Sequence, residues 1–473
     1  MTELILALAP FAVVLGMLAV RIPALWAGVA GLAVALLGGS TVFAPTGEAV
    51  AATAAQMGPT VLAVALIILG GLGLAEAMAR SGGQDAIADW LDRAEAGQDR
   101  TVSLLLLVYG LTPFLEAVTG FGIGLVISAP LLIRHGLAPV RAVTVGLLGM
   151  VTAPWGSLAP GMLVASRLGG VDFADLGVWS ALLSLPVLVV SMVGVLALAG
   201  GRVGARRVVL AAVVVALQWA GLIGASLLVG PPLTGVLTAL VVIVVLLVLT
   251  RISYGPLPAI TTRLRRGVRP YLLLVGGILV TTAALAIAGD PAGLAWLSSP
   301  ALWLVASAML APVLLGIPRV ERPAMAIQVL RRWLRPGGTA VMFLALGIVM
   351  AVTGMADYLA VTAAQMGIGF LATIPAIGAL GGYLTGSNTG SAAMFSTATT
   401  TAALGLDTSP IVPLAAQNVA ASFGMNASPA RIALATAVAL PAGERFPARY
   451  VAVLAGAITV AVAILGAATL LIG

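Results

Sequence analysis

Apolar residues run through this chain in blocks of about 20, the length a helix needs to cross a bilayer. The blocks fall at 4–20, 24–44, 59–79, 177–199, 208–228, 232–250, 271–288, 300–316, 339–356 and 449–471. Two further stretches, 101–168 and 366–441, are apolar but cut by Gly, Pro, Ser, Thr and Asn. The pattern predicts an all-α polytopic membrane protein with about 12 spanning helices. The block 4–20 has no basic segment before it and is followed at once by a second span, so it reads as a membrane helix rather than a cleaved signal peptide. Residues 85–93 (DAIADWLDR) put Ile87, Trp90 and Leu91 on one face and acids on the other, which predicts a surface helix at the membrane interface.

Composition narrows the class. The chain is 61% hydrophobic and 8% charged, against about 25% charged in soluble domains, and no long polar stretch exists to build a soluble domain. The net charge of +7 comes entirely from Arg, mostly in short loops, so it marks membrane topology rather than nucleic-acid binding. With no cysteine, disulfides, thiol catalysis and cysteine metal sites are excluded. The sole histidine, His135, lies beside Arg134 in a turn, with no acidic cluster to make a metal site. No catalytic triad or nucleotide-binding loop is present, so neither an enzyme nor an ATP-driven pump is expected, and no cofactor.

Loop charge then orders the spans. Loops holding Arg80, Arg93 and Arg100, then Arg202, Arg206 and Arg207, are basic, as are 251–269 and 319–335 with five Arg each. Loops 45–58, 169–176 and 289–299 carry acids and no Arg. The positive-inside bias places the first set in the cytoplasm and both termini outside, in a bacterial inner membrane. Both ends of 101–134 then fall on the cytoplasmic side, and both ends of 366–405 outside. Each stretch is expected to form a re-entrant hairpin, one with its turn at Glu116–Gly124 and a returning arm from Phe121, the other turning at Gly386–Gly390. Each is followed by a helix with a break, at 153–157 and at 421–425. Residues 1–200 and 268–473 are therefore expected to be two inverted repeats joined by a two-helix linker at 201–267, an arrangement that points to a secondary transporter with its site between the repeats.

Candidate chemistry gathers at these interruptions. Among the acids only Glu76 and Glu116 fall within apolar spans. Glu76 precedes Arg80 by four residues, which predicts an ion pair at a helix end. Glu116 has no basic residue near it in sequence, and a charge buried at depth costs several kcal/mol. It is either a proton-coupling or substrate-facing acid, or a cap on the backbone amides of the hairpin tip. Beside it, Thr119, Gly120 and Gly122 offer backbone groups without an obstructing Cβ. At the second tip Ser387, Asn388 and Thr389 offer hydroxyl and amide groups in the middle of an apolar run, which is costly unless they meet a ligand. Gln417, Asn418 and Ser422 are expected on the same wet face, opposite Thr152 and Trp155. Arg431 follows the helix-start pair Ser428-Pro429 and either meets a substrate carboxylate or plays a structural part.

Three phrases carry a resemblance: "LEAVTGFGIGLVISAPLLIRHGL" at 115–137, "GSNTGSAAMF" at 386–395 and "AAQNVAA" at 415–421. Together they resemble the L-lactate permease family, across both hairpin regions and the helices after them. The resemblance implies uptake of L-lactate, glycolate and related 2-hydroxy monocarboxylates, typically with protons. It also implies an elevator-type architecture, in which a scaffold holds a moving domain with two opposed hairpins; such relatives often dimerise, so a homodimer is one expectation. The expected partners are the lipid bilayer, a small monocarboxylate and a proton, with sodium as the alternative coupling ion and a different organic anion as the alternative substrate. A channel or membrane enzyme stands as the more distant alternative.

Overall fold

The computed structural model describes residues 2–95, 100–120, 122–200, 204–289, 293–441 and 443–472. Helix makes up 85% of the protein and strands are absent among the described residues. Nine of these helices are long and apolar enough to cross a membrane, or ten if the bent pair Phe173–Leu183 and Leu185–Ala199 is one span. Arg202 and the expected arm start at Phe121 lie outside the described residues.

Several boundaries differ from expectation, each for a local reason. The expected loop 45–58 is the start of a 34-residue helix, Gly47–Arg80, capped by the Thr46 hydroxyl, which accepts from Ala49 N at 3.2 Å. Its Ala-rich sequence favours helix even where it is polar. The block 177–199 bends by 41° at Ser184, where Pro186 occupies the first turn of the second segment. The block 339–356 is divided at Thr353–Gly354 into Pro336–Val352 and Met355–Ala364. The basic stretch 319–335 holds an amphipathic helix, Arg322–Trp333, and the end of 251–269 forms the first turns of Thr262–Ile287.

The expected surface helix is present as Gly83–Glu95, with Leu91 buried, Ile87 and Trp90 packed on the core, and the Trp90 indole donating to Pro258 O at 3.2 Å. Glu76 pairs with Arg80 at 2.6 Å as its spacing predicts, and its other oxygen accepts from Arg332 at 2.6 Å. This ties the Gly47–Arg80 helix to the Arg322–Trp333 helix.

Two helical hairpins and two broken helices form the centre. In the first hairpin, arms Thr112–Thr119 and Ile123–Arg134 pack together, with Gly120 and Gly122 between them both at positive φ. A wide π turn, Leu106–Leu111, precedes Pro113, and the Thr112 hydroxyl donates to Leu107 O at 2.8 Å. The second hairpin joins Ile374–Thr385 to Asn388–Leu404, so its first arm begins later than 366, after a 3₁₀ turn at Ile368–Thr373. The first broken helix, Pro139–Leu148 and Pro160–Gly169, is interrupted where expected; Ser157, Leu158 and Ala159 have positive φ. The second is not. Ile411–Gly424 stays helical through 421–424, and the interruption comes at Met425–Ser428 before Pro429–Ala439.

Candidate functional site

A cavity of about 590 Å³ opens among these interruptions. Its wall takes the residues Glu116 and Gly120 from the first hairpin, and Thr385 through Gly390 from the second. Gly156, Ser157 and Gly161 come from the first broken helix, and Arg431 from the second. Glu116, Arg335 and Arg431 are the only ionisable residues lining it among those described. The first turns of four helices lie in the wall: Pro160–Gly169, Asn388–Leu404, Pro429–Ala439 and Pro336–Val352. Helix N-termini carry partial positive charge and unpaired N–H groups. Four N-termini and two guanidiniums against one carboxylate make this a place for an anion.

The decisive pair joins elements 315 residues apart. Arg431 Nη1 donates to Glu116 Oε1 at 2.8 Å, with the carboxylate side chain 2% and the guanidinium 10% exposed. Glu116 Oε2 accepts from Gly122 N at 2.9 Å. The acid therefore caps the hairpin turn with one oxygen and holds a buried cation with the other. Gly122 sits at φ +80, where a side chain is strained, and a Cβ there would lie 2.6 Å from Leu434 and 3.2 Å from Arg431 Nη1. Only glycine lets the tip reach the arginine. Arg431 is placed by its own helix start: the Ser428 hydroxyl accepts from Arg431 N at 3.3 Å and Pro429 opens the first turn.

The second tip is built from polar contacts. The Ser387 hydroxyl caps Asn388–Leu404 by accepting from Gly390 N at 3.3 Å. Asn388 Nδ2 donates to Asn418 Oδ1 at 2.7 Å, and Asn418 Nδ2 donates to Ser180 Oγ at 3.1 Å. Gly161 makes the approach of the two interruptions close: a Cβ there would lie 2.6 Å from Asn388 Nδ2 and 3.1 Å from Thr389 N.

These motifs, read as a whole sequence, decide the relationship. The profile of the L-lactate permease family matches residues 3–268 and 273–466. The chain belongs to the L-lactate permease family. An L-lactate permease of Streptococcus iniae is 24% identical over 353 residues, covering 66% of this chain and 72% of that protein. Those of Salmonella typhimurium and Escherichia coli (strain K12) are each 25% identical over 405 residues, covering 72% of both partners. Family membership and the long apolar helices make it a multi-pass membrane protein.

In this member of the permease family, Glu116, Gly120, Ser387, Asn388, Thr389 and Arg431 come together on one cavity. Thr119 and Gly122 flank it without lining it, and Gln417, Asn418 and Ser422 are buried behind its wall rather than on it. Gln417 accepts from Thr399, inside the contact between Asn388–Leu404 and Ile411–Gly424. Asn418 accepts from Asn388 and does not reach the cavity itself. Thr152 and Trp155 are fully buried and also off the wall. Gly161, Ser180, Thr339 and Arg335 belong to the site or its support and had no motif to mark them. A Pro-Gly pair in an apolar run was the only signal for Gly161; a lone Ser in an apolar helix gave none for Ser180.

Gly161→Ala is expected to press the Asn388 amide out of place. Uptake should fall about ten- to a hundredfold, as for small displacements in a preorganised site, with normal amounts of protein in the membrane. Transport rate per quantity of purified, reconstituted protein checks this.

Proposed function

We propose that this chain is a secondary transporter that carries L-lactate and related 2-hydroxy monocarboxylates such as glycolate across the bacterial cell membrane with a proton. The observation that carries this is the buried Glu116–Arg431 pair in the wall of an anion-accepting cavity. Separating a buried ion pair costs about 3–5 kcal/mol if one partner is left alone. A proton on Glu116 and a carboxylate on Arg431 avoid that cost together, because the arginine exchanges one anionic partner for another.

Charge balance then gives coupling. In the empty site the buried pair Glu116⁻–Arg431⁺ is neutral; Arg335 is exposed, keeps its charge in every form and stands outside this balance. The loaded site holds protonated Glu116, Arg431⁺ and the substrate anion, and is also neutral. A site with the proton alone carries +1, and with the anion alone −1, and charged sites are costly to move through a bilayer. Only the empty and fully loaded forms cross readily, which is proton symport. The two hairpins and the two broken helices would travel as one body against the flanking spans, giving alternating access. Ser387 and Thr389 support the carboxylate end of the substrate through the N-terminus of Asn388–Leu404.

Uptake into proteoliposomes under an imposed pH gradient tests the reading. L-Lactate should accumulate when the outside is acid and stop when the gradient is collapsed, with no change when sodium is replaced by choline. Uptake that needs sodium and ignores the pH gradient would reject proton coupling.

A further inference from the structure

We propose that Asn388 is the residue that reads the substrate's 2-hydroxyl group, by accepting a hydrogen bond from it at Oδ1. This rests on the proposed transport of 2-hydroxy acids and adds how they are told from other monocarboxylates.

Asn388 is 7% exposed, and Oδ1 has no hydrogen-bond partner among the described residues. The residue lines the cavity, and its Oδ1 is closed off from solvent. A buried acceptor without a donor is costly, so a cavity-lining residue that keeps one is suited to a ligand that brings a donor. The amide is placed with Nδ2 donating to Asn418 Oδ1 at 2.7 Å, and Asn418 Nδ2 donating to Ser180 Oγ at 3.1 Å. This relay of three side chains leaves Oδ1 as the free end. The chemical division is sensible. Arg431 and the helix N-termini supply donors, which a carboxylate wants. Asn388 Oδ1 supplies an acceptor, which a carboxylate repels and a hydroxyl satisfies. A 2-hydroxy acid carries both groups on adjacent carbons. Propionate, pyruvate and an O-methylated lactate keep the carboxylate but bring no hydroxyl hydrogen, and would seal the acceptor away unpaired.

The test is competition for L-lactate uptake by the full chain in proteoliposomes, using glycolate, propionate, pyruvate and 2-methoxypropionate. Glycolate should compete well. Propionate, pyruvate and 2-methoxypropionate should each bind about tenfold or more weaker than lactate, the effect of one buried hydrogen bond. Glycolate is smaller than lactate but keeps the hydroxyl, and pyruvate matches lactate in size but lacks it, so strong competition by the first with weak competition by the second is not a matter of fit. In Asn388→Ala the gap between lactate and propionate should close to within about threefold, through weaker lactate binding. The wild-type series stands by itself if that variant does not reach the membrane.

Equal competition by propionate and lactate in the wild type overturns the assignment. It is the result expected if the amide is turned to present its N–H groups to the carboxylate. A lactate preference that survives in Asn388→Ala overturns it as well. A chain that takes up neither lactate nor glycolate under any ion gradient overturns the transport reading itself, a result distinct from both.

Discussion

Glu116→Gln is expected to separate substrate movement from proton movement. The glutamine mimics the protonated acid permanently, so Arg431 is free for a carboxylate at every pH. Lactate should bind about tenfold or more tightly, because it no longer displaces a competing anion, and hydrogen bonds to charged groups contribute about 1.5–3 kcal/mol. The loaded carrier is neutral and crosses. The empty carrier holds an unpaired guanidinium that cannot shed its proton, and it does not return. Counterflow of labelled lactate against unlabelled lactate should therefore persist, while accumulation driven by a pH gradient falls to background. The empty variant also bears the roughly 3–5 kcal/mol cost of an orphaned buried charge, so lactate should raise its melting temperature more than that of the wild type. Retained pH-driven accumulation would exclude Glu116 as the coupling acid.

Arg431→Gln should abolish every mode of transport, counterflow included. The loss is about a hundredfold in affinity for the carboxylate, matching removal of a charge-assisted contact. Its structural damage should be milder than that of Glu116→Gln. An orphaned carboxyl can take up a proton and become neutral; an orphaned guanidinium has no such escape. Arg431→Lys should restore little, since an ammonium lacks the planar fork that spans two oxygens. Direct binding measured by calorimetry, with melting temperatures of the four proteins, separates a lost ligand contact from a lost fold. Normal counterflow in Arg431→Gln is the outcome that removes the arginine from the site.

What was legible in the sequence follows from where polarity is expensive. Ser387, Asn388 and Thr389 stand out because polar groups in an apolar run need a reason, and the cavity supplies it. Glu116 stands out for the same reason. Its partner does not: Arg431 lies 315 residues away, and one sequence holds no measure of distance between the first hairpin and the second broken helix. The second interruption was misplaced because Phe423-Gly424 looks like Trp155-Gly156. Gly156 departs from helical geometry, whereas Gly424 stays helical and gives up its Cβ to let Ala379 O pack against it. One glycine bends the chain and the other admits a neighbour, and composition is the same for both. Gln417 misled for a related reason: a polar side chain inside an apolar helix need not face water, and this one is consumed by Thr399.

The distance along the chain between Glu116 and Arg431 also bears on how the protein is made. Glu116 leaves the ribosome 315 residues before its counter-charge exists. During that interval the first hairpin cannot settle in hydrocarbon with a bare carboxylate. It must wait, shielded at the insertion machinery, until residue 431 has been threaded. Docking of the first hairpin against the helix Pro429–Ala439 is thus a late event in biogenesis, and a truncated chain lacking residue 431 would present an unfinished membrane domain to quality-control proteases.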